Sequence, residues 1–541
     1  MGKFSRIQVA PMKVGKSPSP VRTVGAEPDT VTAEGAPGWS RDPRSELFLL
    51  AIANMVGEDT FYEKGKDRDA RFVALIHQVT VEDPAWVADL VPFLRNRVNL
   101  RSAAIVAAAE YVKAGGPKGR GVVASALQRA DEPGEMLAYW MTRYGRNIPQ
   151  PVKRGVADAV RRLYTERAAM KYDGTEQKWR MADVIDLVHP EPIAAWQGAL
   201  FKYLLDKRHD HPGDLTLLPT LRAAAVLDAL SAEERRAFVA TPRDVGHDAP
   251  MELAEAGFTW ERLASWLGGP MDRAAWEAII PSMGYMALLR NLRNFDEAGI
   301  SDDHRAMVVR KLTDPDEVAS SRQLPLRFYS AWANVRSMHW GGTVETALGL
   351  SLGNVPSLSG RTLILIDVSG SMNAPLSEKS KALRWEVAAL FGAALARRAE
   401  SADVFAYSDQ IVPFEVGRGD SILRTVDSIR SVVGGGTQTW RCLQQAYKDH
   451  DRVVILTDEQ AHPYYTGGST WPTLTTSRPV NILPAGKRLY TFNLAGHKVA
   501  QTQSDADHVT FGGLSDAAFD ALALLEANRS TGWTEILRGA R

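Results

Sequence analysis

Thr362–Met372 reads TLILIDVSGSM, an apolar run that ends in Asp367 and is followed by two serines around a glycine. An apolar run that passes directly into turn residues predicts a buried strand of a parallel sheet. Ligands of such sheets lie just beyond the carboxyl ends of the strands. One carboxylate and the hydroxyls of Ser369 and Ser371 make an oxygen-only ligand set that suits Mg²⁺ rather than Zn²⁺. The loop therefore predicts a divalent-cation site that a further ligand completes.

Two other segments fit the same site. Val453–Asp458, VVILTD, is a second buried-strand pattern that ends in an aspartate. Gly434–Thr437, GGGT, is a glycine-rich turn that can bring a threonine hydroxyl close to a bound ion. The alternative, an aspartate that caps a helix beside turn serines, is common for D-x-S alone but leaves the three-part pattern to coincidence.

The three segments together resemble the metal-ion-dependent adhesion site of von Willebrand factor A domains. That family has D-x-S-x-S, then a threonine, then an aspartate, each after a strand. The resemblance implies a Mg²⁺ site whose ligands are Asp367, Ser369, Ser371, Thr437 and Asp458.

Strand and helix patterns alternate after residue 360, which predicts a doubly wound α/β domain over residues 361–541. The helix that starts near Glu378 places apolar residues on one stripe, as a helix covering a sheet requires. The predicted strands are Leu363–Ile366, Asp403–Tyr407, Val453–Thr457 and Leu489–Asn493; the predicted helices are Glu378–Glu400, Ser421–Val432, Arg441–Tyr447 and Asp516–Leu525.

The first part of the chain has a different character. Residues 1–42 contain scattered prolines and glycines without periodicity and are predicted to be disordered. Residues 43–350 carry one helical pattern after another, separated by short Gly/Pro breaks, which predicts an α-solenoid of helix pairs. Residues 351–360 are rich in Gly and Ser and read as a linker.

Composition sets the broad class. The chain has 541 residues, so more than one domain is expected, and its net charge of zero argues against a wholly basic nucleic-acid binder. The single cysteine, Cys442, excludes an internal disulfide and fits a reducing compartment. Neither a membrane span nor a signal peptide is indicated. These features predict a soluble, cytoplasmic protein, which we expect to be a monomer.

A cationic stretch interrupts this neutral balance. Residues 141–172 contain eight basic residues and two acids, Asp158 and Glu166. On a helix that starts after Pro151, apolar residues share one side and basic residues lie roughly opposite. A basic ridge of this kind is either a phosphate-contacting surface or an ordinary solvated face.

Specific segments of the helical part resemble the TROVE module of Ro autoantigen-type proteins. They are IPQPVKRGV, ERAAMKY and DVIDLVHPEP within Ile148–Pro190, LRSAA at Leu100–Ala104 and LLRNLRN at Leu288–Asn294. In that family a ring of HEAT-like helical repeats precedes a von Willebrand A domain, so the resemblance covers nearly everything after residue 42.

The resemblance implies an RNA-binding function. Family members bind single-stranded 3′ ends of misfolded or immature noncoding RNAs in the hole of the ring and small Y RNAs on its outside. Bacterial members act with 3′→5′ exoribonucleases such as polynucleotide phosphorylase. Asp173–Gln177 departs from relatives, which tend to carry basic residues there, and Lys178 and Arg180 are the replacements. The expected RNA contacts are Lys171 and His189, by family position, with Lys153, Arg154, Arg161, Arg162, Lys178 and Arg180.

Other function classes fit less well. The chain has no Walker, H-E-x-x-H or G-x-S-x-G signature, and D-x-S-x-S lacks the carboxylates that phosphatases and two-metal nucleases need, so no enzyme activity is expected. His209–His211 is predicted to be a polar turn rather than a metal site. Arg290 and Asn291 either contact RNA or hold helices together. The remaining alternative is an adaptor that recruits a protein carboxylate to the metal, without RNA.

Overall fold

The structure of the chain is a computed structural model. The structure describes residues 28–32, 35–53, 64–97, 99–174, 179–240, 249–321, 323, 325–335, 337–352, 355, 357–376, 382–417, 420–461, 483–484, 486–497, 499–502, 507–512, 522 and 526. Among them, no helix is long and apolar enough to cross a membrane.

The chain divides into two compact units. Unit 1 comprises residues 1–117 together with 352–541, and unit 2 comprises residues 118–351. This division by contacts does not coincide with the division by fold type that the sequence suggests, because the first helices belong to unit 1. The domain boundaries drawn from the sequence therefore stay a prediction.

The described residues of unit 2 form helices and connecting turns and no β-strand. Its helices are α5 (Gly119–Ala126), α6 (Glu132–Tyr144), α7 (Gln150–Leu163), α8 (Glu166–Tyr172), α9 (Met181–Val188), α10 (Ala195–Arg208), α11 (Pro219–Asp228), α12 (Ala232–Ala240), α13 (Ala249–Glu255), α14 (Trp260–Leu267), α15 (Arg273–Ile279), α16 (Tyr285–Ala298), α17 (Asp302–Leu312), α18 (Pro315–Ser321), α19 (Pro325–Trp332) and α20 (Met338–Ser351). The helices α1 (Pro43–Ala53), α2 (Gly65–Glu82), α3 (Pro84–Pro92) and α4 (Arg101–Lys113) precede them in unit 1. The predicted helical character of this region is confirmed, and its closure into a ring stays a prediction.

The break between α7 and α8 contains no glycine or proline that would have predicted it. The basic segment that follows Pro151 forms two helices, α7 and α8, because Tyr164 and Thr165 adopt extended backbone conformations. The Thr165 hydroxyl accepts a hydrogen bond from the Ala168 amide at 3.2 Å and so caps α8. The basic residues of this stretch therefore do not share one continuous helix face.

Unit 1 contains a six-stranded sheet. Its strands are β3 (Leu358–Asp367), β4 (Ala399–Tyr407), β5 (Ile411–Pro413), β6 (Arg452–Thr457), β7 (Arg488–Asn493) and β8 (His508–Gly512), which follow two short strands, β1 (Thr30–Val31) and β2 (Pro37–Gly38). The order across the sheet is β5-β4-β3-β6-β7-β8, and every pair is parallel except β4 with β5. A mainly parallel sheet has its strand ends at one shared edge.

Helices cover both faces of this sheet. The helix α21 (Arg384–Arg398) packs against the face of Ile366 and Leu456, close enough that a Cβ on Gly392 would lie 2.6 Å from Ile366 Cδ1. The helix α23 (Thr439–Ala446) packs with the alternate residues of β3 and β6 in a core cluster on the opposite face. A third helix, α22 (Ile422–Ser428), contacts α21. The predicted doubly wound α/β fold is confirmed.

Individual elements differ from the prediction at their ends. The strand β3 begins at Leu358, inside the expected linker, and the helix expected from Glu378 begins at Arg384. The two edge strands of the sheet, β5 and β8, were not predicted, because each is too short to show a clear strand pattern. The expected helix Asp516–Leu525 lies, apart from Leu522, outside the described residues.

The segment expected to be disordered is partly ordered. Residues 1–27 lie outside the described residues, but 28–32 and 35–42 are placed, and β1 pairs antiparallel with β2. Trp39 exchanges backbone hydrogen bonds with Ala500, both at 2.9 Å, and its side chain is buried. The physical reason is tertiary: this segment has too little apolar surface for a core of its own, but it pairs with the α/β domain.

Candidate metal site and basic surface

The two aspartates of the candidate metal site follow neighbouring strands. Asp367 is the last residue of β3, and Asp458 follows β6 directly. The strands are paired in parallel with Ile366 opposite Leu456, so both carboxylates lie at the same edge of the sheet. Both side chains are fully buried. The structure therefore brings together the two carboxylates that the sequence predicted.

The glycine turn that carries Thr437 is held against the D-x-S-x-S loop. The Gly434 amide donates to the Val368 carbonyl at 2.8 Å, and the Gly370 amide donates to the Gly435 carbonyl at 3.0 Å. Asp409 supports the turn from outside by accepting from the Gly436 amide at 2.7 Å. Thr437, the residue after Gly436, is buried.

Hydroxyls and carboxylates meet in this buried region. Ser369 Oγ lies 3.4 Å from Ser371 Oγ, and the Ser369 amide donates to Asp367 Oδ1 at 2.9 Å. Thr457 Oγ1 donates to Asp367 Oδ2 at 2.6 Å, which fixes that carboxylate. Among the described residues, neither Oδ atom of Asp458 has a hydrogen-bond partner of ordinary geometry, although Ser371 and Arg384 are near enough to act on its charge.

Burial raises the pKa of both aspartates. For Asp367, desolvation is the main cause and the negative charge of Asp458 adds to it, against the hydrogen bonds from Ser369 and Thr457. For Asp458, desolvation again raises the pKa, while Ser371 and the Arg384 guanidinium, 4.0 Å away, lower it. Two buried carboxyls at one edge of a sheet are unfavourable without a compensating positive charge.

These groups fit a divalent cation of the Mg²⁺ type. All the predicted ligands offer oxygen, and the carboxylate of Asp458 has unused acceptor capacity. The described residues contain no cluster of three or more His, Cys, Asp or Glu side chains that could hold a metal, so a site made chiefly of such side chains is not present among them. Cys442 is buried, and burial raises the pKa of its thiol to about 12, so it is not a thiolate ligand.

The shape of the Thr437 turn makes a direct prediction. Gly435 has φ +82°, and a Cβ there would lie 2.6 Å from Asp409 Oδ2. We expect Gly435→Ala to lower the free energy of unfolding of the metal-free protein by about 1–3 kcal/mol, since a left-handed backbone and a close contact both oppose the new side chain. Thermal melting in EDTA measures this change. The control is Gly370→Ala, whose Cβ meets only an ordinary 3.5 Å contact; an equal loss in both variants would contradict the argument.

The predicted RNA-contacting residues lie in unit 2 or outside the described residues. Arg154 and Arg162 are exposed on α7, and Lys153 and Arg161 are partly buried on the same helix. Both acids of this stretch are engaged: Asp158 forms two hydrogen bonds with Arg120 of α5, at 2.6 and 2.8 Å, and Glu166 accepts from the Leu221 amide at 2.9 Å. The Arg120 guanidinium lowers the pKa of Asp158, so that carboxylate stays ionised and paired. The cationic character of α7 is therefore not cancelled by its own acids.

Some of these cations also have structural partners. Arg162 donates to the carbonyls of Ala124 and Leu127, where α5 ends. Arg180 pairs with the buried carboxylate of Asp173 at 3.2 Å. Asp173, the acid that departs from the family pattern, also receives the Met181 amide at 2.9 Å and therefore holds the start of α9. Lys178 lies outside the described residues.

The two residues expected from family position are both accessible. Lys171 is exposed at the end of α8, with its Nζ 5.3 Å from the centre of the Tyr172 ring. His189 is exposed just after α9, in a left-handed conformation with φ 46°, and its amide donates to the Ile185 carbonyl at 2.9 Å. Arg180 stands at the other end of α9, so His189 and Arg180 are separated by the length of that helix.

The structure gives the surroundings of three further polar groups that the sequence singled out, Arg290, Asn291 and His209–His211. Asn291 is buried on α16 and hydrogen bonds to the Ala287 carbonyl at 2.8 Å and to the Asn294 side chain at 2.7 Å, which is a structural role. Arg290 is exposed on the same helix. His209–His211 forms an exposed turn, in agreement with the polar-turn interpretation.

Two segments of the chain match known protein families. Residues 248–346 match the model of the TROVE domain, and residues 361–475 match the model of the Ro60 vWA domain. The chain contains a TROVE domain and a Ro60 vWA domain. The predicted resemblance is therefore confirmed, and the second match contains the five predicted metal ligands.

Individual relatives support the same assignment. The chain is 26% identical over 351 residues to the RNA-binding protein RO60 of Deinococcus radiodurans, a match that covers 58% of this chain and 61% of that protein. A match of 40% identity over 75 residues links 14% of the chain to 3% of mouse telomerase protein component 1. The crystal structure of the Deinococcus radiodurans RO (RSR) protein superimposes with a TM-score of 0.62 at 18% identity, covering 92% of this chain and all of that one (100%), which shows the shared fold.

The structure adds residues to the candidate metal site that the sequence did not single out. Thr457 and Tyr407 contact Asp367, the latter through a 3.4 Å hydrogen bond from its hydroxyl. Arg384 and Glu459 are buried beside Asp458. Glu459 could have been suspected from its place directly after Asp458, whereas the position of Arg384 depends on the packing of α21.

Proposed function

We propose that this chain, a homologue of an RO60 protein, is an RNA-binding protein that acts in RNA quality control or processing. It binds a small, Y-like noncoding RNA and the single-stranded 3′ ends of structured or misfolded RNAs. It has no catalytic activity of its own and presents RNA to a 3′→5′ exoribonuclease, such as polynucleotide phosphorylase. The observation that carries the proposal is the accessible basic surface of α7 and α8 in a homologue of an RNA-binding protein.

Physical chemistry supports this use of the surface. Arginine and lysine side chains position a phosphate backbone without reading base sequence. Selectivity for free ends then comes from shape, because an opening too narrow for a duplex admits only a single strand. The exposed cations Arg154, Arg162 and Lys171 supply such contacts, and Arg154 makes no ion pair or hydrogen bond among the described residues.

A purification test separates this proposal from the RNA-free adaptor. The protein isolated from its own cells should carry RNA, seen as a raised ratio of absorbance at 260 to 280 nm. It should also bind RNA with a 3′ overhang at low salt. Protein free of RNA, with no affinity for such a ligand, would leave the adaptor function as the explanation of the fold.

Two side chains test where a structured RNA binds. We expect Lys171→Ala with His189→Ala to weaken binding to a structured small RNA by at least about tenfold, since a charge-assisted hydrogen bond contributes about 1.5–3 kcal/mol. Binding of an unstructured single strand should weaken less. Electrophoretic mobility shift or fluorescence anisotropy with both RNAs measures the difference.

The matched control removes two exposed cations from other helices of unit 2, Arg222→Ala with Arg310→Ala. This variant should leave binding of the structured RNA within a fewfold of the parent protein. An equal loss of both RNAs in the Lys171/His189 variant would refute separate sites. Equal losses in the two variants would indicate a general charge effect instead.

We also propose that the Ro60-type vWA domain holds Mg²⁺. Asp367, Ser369, Ser371, Thr437 and Asp458 would bind the cation, which would supply a positive charge for an oxygen ligand of a partner. The support is the pair of buried carboxylates and the unsatisfied oxygens of Asp458. The chain's own residues orient the donors: Thr457 fixes Asp367, and the glycine turn fixes the Thr437 loop.

A further inference from the structure

A buried ion pair lies directly behind the candidate metal loop. Arg41, in the N-terminal segment, donates through Nη2 to Oε2 of Glu459, the residue after Asp458. Both side chains have no exposed surface. The side-chain Nδ2 of Asn493, at the end of β7, donates to the same Oε2 at 2.5 Å. Three separate parts of the chain therefore meet at one carboxylate.

Glu459 also has an unusual backbone. Its φ is +62°, a left-handed conformation that a non-glycine residue adopts only where its surroundings enforce it. Its amide donates to Thr457 Oγ1 at 3.0 Å, and the same Thr457 oxygen donates to Asp367 Oδ2 at 2.6 Å. The position of Glu459 is thus connected to both aspartates, to Asp458 by the peptide bond and to Asp367 through Thr457.

The segment that carries Arg41 is anchored on the same edge of the α/β domain. Trp39 exchanges two backbone hydrogen bonds with Ala500, and the Thr32 hydroxyl donates to the Ala461 carbonyl at 2.6 Å. Ala461 is only three residues beyond Asp458. The N-terminal segment therefore contacts both Glu459 and Ala461, the first and third residues after Asp458.

An ion pair in this location is not explained by stability alone. Desolvation of two buried charges offsets most of their attraction, and replacing such a pair by apolar residues is often neutral or stabilising. The Glu459 carboxylate accepts from both Arg41 and Asn493, so the pair fixes the position of that side chain. Groups that hold metal ligands in place typically change metal affinity when they are altered.

We propose that Arg41 is a positioning residue for the metal site, acting through Glu459 on the backbone of Asp458. This inference rests on the proposed Mg²⁺ site. Docking of residues 35–42 and binding of the cation are then coupled: each favours the other by the same free energy. The N-terminal segment becomes part of the metal site without contributing a ligand to it.

The first test measures Mg²⁺ and Mn²⁺ affinity by isothermal titration calorimetry on the full chain. We expect Arg41→Met to weaken binding by roughly 10–100-fold. Loss of a nearby positive charge would by itself strengthen cation binding, so weakening reports positioning rather than electrostatics. The control is Arg44→Met, which removes a partly exposed ion pair with Asp83 and should change the affinity by less than about twofold.

A double variant protects the test against misfolding. Arg41→Met with Glu459→Gln leaves no unpaired buried carboxylate and no net change of charge, and the glutamine oxygen still accepts from Asn493. We expect it to fold and to bind the cation as weakly as the single variant. Wild-type affinity in a folded double variant would overturn the inference.

The second test is specific to coupling. In the wild-type protein Mg²⁺ should slow hydrogen exchange at the Trp39 amide, which donates to the Ala500 carbonyl. In Arg41→Met this slowing should disappear, whereas a purely structural role would speed exchange equally with and without metal. If the wild-type protein binds neither cation, the proposed metal site itself fails. If it binds and Arg41→Met binds equally well, only the positioning role fails.

Discussion

Raising monovalent salt from about 50 to about 200 mM lowers the affinity for RNA by about 10³–10⁵-fold if roughly 6–10 phosphates are contacted. The reason is counterion release: each cation that neutralises a phosphate frees a condensed counterion. The entropy gained by this release becomes smaller as the bulk salt concentration rises. Fluorescence anisotropy over a salt series, plotted as log affinity against log salt, measures the number of contacts. A flat response would contradict a phosphate-binding surface.

Single substitutions test which cations contact the phosphates. Arg154→Ala should reduce the slope by about 1, the value of one lost phosphate contact. Arg222→Ala, an exposed cation on α11, serves as the control and should leave the slope unchanged. A reduction of the slope by both would show that net charge, rather than the α7 surface, determines binding.

Asp367→Ala should abolish stabilisation by Mg²⁺. A ligand that binds only the folded state at about 100 times its Kd adds about 2.7 kcal/mol to the free energy of unfolding, and the variant should gain none of it. Without metal, loss of the Asp367 charge should not lower the free energy of unfolding. Burial and the neighbouring Asp458 raise the pKa of Asp367 and make its ionised form unfavourable. Chemical denaturation with and without Mg²⁺ measures both effects.

The control for this experiment is Asp427→Ala, which removes an exposed carboxylate that pairs with Arg430 on the surface of the same domain. It should keep the full Mg²⁺ effect. RNA affinity should be nearly unchanged in both variants, since the metal residues belong to unit 1 and the basic helices to unit 2. A parent protein whose unfolding does not respond to Mg²⁺ would argue against the metal site.

Local patterns were sufficient for the main elements of the α/β domain. The run from Leu363 to Ile366 and the run from Val453 to Thr457 predicted two adjacent parallel strands, and their aspartates lie together because parallel strands end at one edge. Periodicity is a local property, and it persists in these segments because each packs one face or both faces into a core.

Elements without a long pattern were harder. The strands β5 and β8 are short, and the break between α7 and α8 depends on two extended residues and a threonine cap. Arg154, Lys171 and His189, which the sequence predicted as RNA contacts, are exposed in the structure. The sequence did not indicate that Arg162 and Arg180 also bind groups at helix ends. An arginine in a sequence does not show whether its guanidinium faces solvent or a partner within the protein.

The sequence by itself determined the class of the fold and the resemblance to TROVE and von Willebrand A domains, and it predicted a set of oxygen ligands, because strand ends and ligand spacing are contained in short segments. Only the tertiary structure decided that residues 35–42 are ordered and that Arg41 meets Glu459, 418 positions away. No local pattern encodes such a contact. It exists because a buried carboxylate beside the metal loop requires a positive partner, and the folded chain supplies one from its N-terminal segment.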